Sequence, residues 1–150
     1  MGKGNFILKL YQTKNTVFTA KEIALILGET NKDALKSKIN YYAKKGVLRR
    51  VWRGIYVKPD YDTLELATKI YTPSYVSLET VLAKEGVIFQ HYETVFVISY
   101  LSRKLVIDSQ EIQIRKIKNE ILLNSKGILK KENYSIASKE RAFLDALYFY

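Results

Sequence analysis

Five side chains within one short stretch could read a nucleic acid: Lys36, Ser37, Asn40, Tyr41 and Lys44. At about 100° per residue they fall along one side of a helix, with Lys32 extending the same face one turn earlier. Lysine can contact phosphate or guanine, and asparagine can pair bidentately with adenine in a major groove. An isolated helix face of this kind is more often simply solvated. The hairpin next along the chain shifts the balance. Arg49, Arg50 and Arg53 lie on and beside two β-rich runs, 47–52 and 55–57, joined by Arg53-Gly54, where glycine supplies the positive φ of a tight turn. Arginines at such a tip can lie against a phosphate backbone or enter a minor groove. Solubility is the competing reading, and their place beside the helix favours DNA contact. Trp52 reads first as a core residue and second as a contact to a sugar edge.

Two helices must position these groups, and both carry end signals. Thr19-Ala20-Lys21-Glu22 has the form of a capping box, with Val17 or Phe18 as its staple, opening a helix over 19–27 that Gly28 ends. The second helix, over 32–45, takes Thr30 or Asn31 as N-cap and sets Asp33 in its first turn. It stops at Gly46 after Lys44-Lys45. Leu35, Ile39, Tyr42 and Ala43 are its expected inward side. An earlier helix over 5–14, with Phe6, Ile7 and Leu10 at helical spacing, is expected to cover the pair. Helix, turn, helix and hairpin in this order predict a winged helix-turn-helix over residues 1–60, with double-stranded DNA as its partner. Pro59-Asp60-Tyr61-Asp62 closes it, since proline cannot continue a paired strand.

The rest of the chain, 61–150, reads as a second, small α+β domain. A connecting helix is expected over 64–71, then a turn and a helix from about residue 74 to the stop at Gly86. Short apolar or alternating runs at 95–98, 105–107, 112–114 and 134–137 predict strands. Ser138 caps a last helix in which Phe143 and Leu147 share a face and Arg141 and Asp145 can pair at i, i+4. It runs into Tyr148-Phe149-Tyr150. Three aromatics are costly to leave in water, so that this end docks back on the core, meets a partner or continues into further chain. The predicted class is α+β throughout.

Composition narrows the function further. The 150 residues are 47% hydrophobic and 27% charged, the balance of a folded globular chain. The absence of cysteine removes disulfides and thiolate chemistry and fits a reducing cytoplasm. No run approaches the about 18 apolar residues of a spanning helix. The N-terminus, MGKGNFILKL, is too short and broken for a signal peptide. No membrane partner is expected. The net charge of +10 is unevenly placed: thirteen Lys or Arg stand against four Asp or Glu through residue 60, and twelve against eleven thereafter. Such a basic half supplies salt-dependent, sequence-independent affinity for DNA.

Enzyme chemistry finds little footing. The single histidine, His91, has no second histidine or repeated carboxylate nearby. Phosphate-binding glycine loops are absent. Asp108 and Glu111 could suggest a nuclease metal site, but no lysine follows in the place that would steady an attacking water, and solvated carboxylates in a turn are the plainer reading. Ser77 has a hydroxyl but no base at a vouched spacing. No catalytic residue, metal or cofactor is therefore expected.

Three segments together resemble the AbiEi family of antitoxins from bacterial type IV toxin–antitoxin systems. They are the N-terminal module ending in RGIYVKP, then TPSYVSLETVLAKEGVI, then SIASKERAFLDAL. The P-S-Y-x-S-L-E and E-R-A-x-L-D segments are the distinctive ones, since GIY-type wings occur in other regulators. The resemblance implies a repressor of its own operon whose N-terminal domain binds promoter repeats. It also implies a C-terminal domain that counters a nucleotidyltransferase-like toxin. Family members carry further helices after E-R-A-x-L-D, so the second domain reads as incomplete. A plain regulator without antitoxin activity, or a protein-interaction module, is the alternative.

Overall fold

Thr19 sets the register of the first part of the chain. Its hydroxyl accepts from the Glu22 amide at 3.1 Å while the Glu22 carboxylate accepts from the Thr19 amide at 3.0 Å, the reciprocal pair of a capping box. Gly28, at φ 68°, ends the helix that this opens. A computed structural model describes residues 3–90 and 92–150, and divides them into two units, residues 1–62 and 63–150. The chain is α+β, with helices and a sheet in each unit.

The first unit runs Lys3–Gln12 (α1), Val17–Thr19 (β1), Ala20–Leu27 (α2), Lys32–Lys44 (α3), Arg49–Trp52 (β2) and Ile55–Val57 (β3). α1 begins and ends two residues before the expected 5–14. β1 lies outside the expected set: Val17 and Phe18, read as a staple, pair with Val57 and Tyr56 and extend the hairpin into a three-stranded antiparallel sheet of order β1-β3-β2. Asn31, not Thr30, caps α3, accepting from the Ala34 amide at 3.0 Å. Phe6, Leu10, Phe18, Ile23, Ile39, Tyr42 and Leu48 form the core, and the Phe6 and Tyr42 rings meet at 4.2 Å. Ala43 departs from expectation. It is exposed, because the inward line of α3 passes through Ile39 and Tyr42, and the last turn leaves Ala43 beside the hairpin.

The second unit runs Thr63–Lys69 (α4), Tyr75–Val76 (β4), Glu79–Lys84 (α5), Val95–Ser99 (β5), Arg103–Ile107 (β6), Gln110–Lys116 (β7), Asn119–Leu122 (α6), Ile128–Lys130 (β8), Ser135–Ala137 (β9) and Lys139–Phe149 (α7). One six-stranded mixed sheet joins the strands in the order β6-β7-β5-β4-β9-β8. The helix expected from residue 74 begins five residues later. Tyr75 and Val76 are buried and join the sheet, opposite Ile98 and Val97 on one side, with Val76 opposite Ile136 on the other. Tertiary pairing wins there over helical period. Leu78, fully buried at φ 57°, turns the chain into α5. Among the described residues no helix is long and apolar enough to cross a membrane.

Arg141 and Asp145 do pair at i, i+4, but inside the second unit rather than on a solvated face. All five guanidinium N–H groups find acceptors: Nε the Asp145 carboxylate at 3.4 Å, Nη1 the carbonyls of Asn124 and Lys126 at 2.9 and 2.6 Å, and Nη2 the Ile121 carbonyl and Tyr75 hydroxyl at 2.8 and 3.2 Å. The other Asp145 oxygen accepts from the hydroxyls of Tyr75 and Ser77 at 3.0 and 2.7 Å. Buried charge is tolerated only when satisfied in this way. One network thus ties β4, the end of α6, the loop before β8 and α7.

Gly127 borders this network at φ 75°, and a Cβ there would stand 2.8 Å from Arg141 Cβ. Gly127→Ala is therefore expected to cost about 1–3 kcal/mol, through strain at a left-handed position and displacement of the arginine. A lowered denaturant midpoint with unchanged slope would register it. Burial, and then the nearby Asp145 charge, push the Tyr75 phenol far above its ordinary range. A phenol whose ionisation is raised by folding stabilises the fold below its unfolded value of about 10, and that contribution is lost as pH rises beyond it. Urea unfolding of the wild type is expected to weaken above about pH 10, with Tyr75→Phe flattening part of the decline.

Candidate nucleic-acid interface

The turn between α2 and α3 is built by Glu29. Its carboxylate accepts from the Thr30 and Asn31 amides, each at 3.1 Å, and from Lys38 Nζ at 2.8 Å. The Lys38 ammonium first, and then the Asn31 amide, hold the Glu29 carboxyl below the usual carboxylate range. Lys38 is thereby taken up in bracing α3 on the turn, which separates it from the other lysines of the helix.

The remaining polar residues of α3 line up outward. Lys32, Lys36, Ser37, Asn40 and Lys44 are exposed, and Asp33 sits among them in the first turn, where the helix dipole favours an acid. Tyr41 differs from its neighbours. It is half-buried, edge-on to Tyr42 at 5.2 Å, with Lys45 Nζ 5.6 Å from its ring centre. Only part of its ring is open to a ligand.

Arg49 and Arg50 are exposed on β2, opposite Val57 and Tyr56, and the register shifts between Arg50 and Trp52. A bulge of this kind twists the strand and re-aims its side chains. Arg53 is exposed at the tip, where Gly54 takes φ 70°. Trp52 is half-buried. A shallow cleft of about 230 Å³, lined by Ala43, Gly46, Leu48, Arg49, Arg50 and Pro59, joins the C-terminal end of α3 to the root of the hairpin. The structure so brings Arg49 and Arg50 beside the last turn of α3, next to Asn40 and Lys44 in sequence, while Arg53 stands further out on the tip.

This arrangement can do ionic and hydrogen-bonding work on an extended anion. Thirteen Lys or Arg stand against five Asp or Glu in residues 1–62, and of those five Glu22 and Glu29 are committed to helix caps and Lys38. Among the described residues no group of His, Cys, Asp and Glu could hold a metal ion. His91 lies outside the described residues. Ser77 is fully buried and its hydroxyl donates a hydrogen bond to the Asp145 carboxylate. Asp108 and Ser109 form the tight turn between β6 and β7 at φ 51° and 65°, and Glu111 is paired with Lys104 at 2.8 Å.

Sequence reasoning passed over the bracing role of Glu29 and Lys38, although an acid just before a helix N-cap was a readable signal. It also passed over Tyr75 and Ser77 as partners of Asp145, for which nothing local could have served. No protein-family model matches the chain, and no curated protein matches it significantly.

Proposed function

We propose that residues 1–62 act as a winged helix-turn-helix that binds double-stranded DNA, and that the chain is a sequence-specific transcriptional repressor. The observation that carries this reading is the cleft joining α3 to the hairpin, which sets Arg49 and Arg50 beside Ala43, in the last turn of the helix that exposes Lys36, Asn40 and Lys44. A helix presenting lysines and an asparagine suits a major groove, and arginines on a neighbouring hairpin suit the flanking backbone or minor groove. The basic excess of this half supplies the general affinity.

The resemblance to AbiEi antitoxins extends the proposal. The repressor would act on promoter repeats of its own operon and counter a nucleotidyltransferase-like toxin, in the cytoplasm. A second reading, a protein-interaction module, draws on the outer face of α7, where Phe143, Leu144, Leu147 and Tyr148 are exposed together.

Competition between duplex from the region upstream of the gene and unrelated duplex tests the repressor reading. The upstream duplex is expected to displace a labelled probe at concentrations at least about a thousandfold lower, the low end of specific recognition. Equal displacement by both would reduce the first unit to an electrostatic binder.

A further inference from the structure

The segments 66–78, 94–107 and 112–119 carry six Lys or Arg and no acid, and the second sheet gathers one end of each. Ser99, the last residue of β5, lies opposite Lys116, the last of β7. The Ser99 carbonyl accepts from the Ile117 amide at 3.2 Å, and its hydroxyl donates to the Pro73 carbonyl at 2.7 Å. The Lys116 amide donates to Ser102 Oγ at 3.1 Å, and Arg103 opens β6 opposite Ile114. Between these ends the rings of Tyr71 and Tyr100 meet edge to face at 6.2 Å.

Among the six bases, Lys104 pairs with Glu111 at 2.8 Å and Arg115 lies over the Phe149 ring at 4.5 Å. Arg103, Lys116 and Lys118 are exposed, and Tyr100 keeps 46% of its surface open although Tyr71 holds its ring from one side. Cations alone would suit any polyanion. An open aromatic ring held among them suits one with unstacked bases, because a duplex keeps its bases stacked on each other and offers only phosphates. We propose that this end of the second unit binds single-stranded nucleic acid, a base stacking on Tyr100 and the backbone running along Arg103, Lys116 and Lys118. The surface lies wholly within residues 63–150 and is independent of the reading given to α3.

The test uses the full chain and fluorescence anisotropy with labelled oligothymidylate and oligouridylate of about twelve nucleotides, within the span of a small single-strand site. Binding to both oligonucleotides is expected at low salt. Tyr100→Ala should weaken binding about tenfold or more with the salt slope unchanged, and Tyr100→Phe should restore it. Arg103→Ala with Lys116→Ala should lower the salt slope by about one to two. Lys36→Ala with Asn40→Ala should leave it untouched. The proposal is overturned by absence of binding to both oligonucleotides, by binding that Tyr100→Ala leaves intact, or by binding lost in the α3 variant.

Discussion

Arg141→Ala is expected to unfold much of the second unit under conditions where the wild type is fully native. Removing one partner of a buried, hydrogen-bonded ion pair costs about 3–5 kcal/mol, against a domain stability of about 5–15 kcal/mol. The loss here goes beyond the pair. Three carbonyls, of Ile121, Asn124 and Lys126, lose their donor, and Asp145, 2% exposed, keeps only the two hydroxyls of Tyr75 and Ser77. Arg141→Lys should rescue little, since an ammonium has three donors and no planar fork to reach five acceptors. In a double-mutant cycle with Asp145→Ala, the pair should cost clearly less than the sum of the singles, by about 1–3 kcal/mol. Arg141→Ala unfolding within about 1 kcal/mol of wild type would mean the network is not what holds this unit together.

The same network gives a physical reason for the two segments that carry the AbiEi resemblance. Tyr75 and Ser77 stand in P-S-Y-x-S-L-E, Arg141 and Asp145 in E-R-A-x-L-D, and the two meet in one buried set of hydrogen bonds. Their residue types answer to folding. The resemblance therefore speaks first to the architecture of the second unit, and the proposed antitoxin role would have to be sought on exposed surfaces such as the outer face of α7.

In the first unit, Asn40→Ala and Arg53→Ala should fail in different ways. A bidentate base contact is worth about 1–3 kcal/mol of discrimination, so Asn40→Ala should narrow the gap between upstream and unrelated duplex by about five- to a hundredfold while leaving affinity for unrelated duplex nearly unchanged. Arg53→Ala should weaken both alike and reduce the salt slope by about one. Lys38→Ala serves as the control: its ammonium is held by Glu29 at 2.8 Å, so its loss should lower the stability of the first unit with little effect on preference among duplexes. Identical behaviour of the Asn40 and Arg53 variants would dissolve the division between base reading and backbone contact.

What could be read from sequence was what local chemistry decides. Thr19 with Glu22, Asn31 and Ser138 cap their helices through hydrogen bonds spanning three residues, and Gly28 and Gly54 take the positive φ that their turns require. The elements that escaped need partners far along the chain. β1 exists because Val57 lies opposite Val17, and β4 because Val97 and Ile136 flank Val76. α6 and β8, likewise outside the expected set, are four and three residues long, too short for a period to show. At the interface, the exposed row on α3 followed from helical period. The half-burial of Tyr41 and the exposure of Ala43 did not, because both depend on where Tyr42 packs and how the hairpin meets the last turn.

The most direct measurement is amide chemical-shift mapping of the isotope-labelled 17.4 kDa chain titrated with upstream duplex. The account predicts that the perturbed amides concentrate in residues 32–44 and 49–54, with the α3 signals moving differently when unrelated duplex is used. Perturbations absent from both stretches, or confined to residues 63–150, would contradict it.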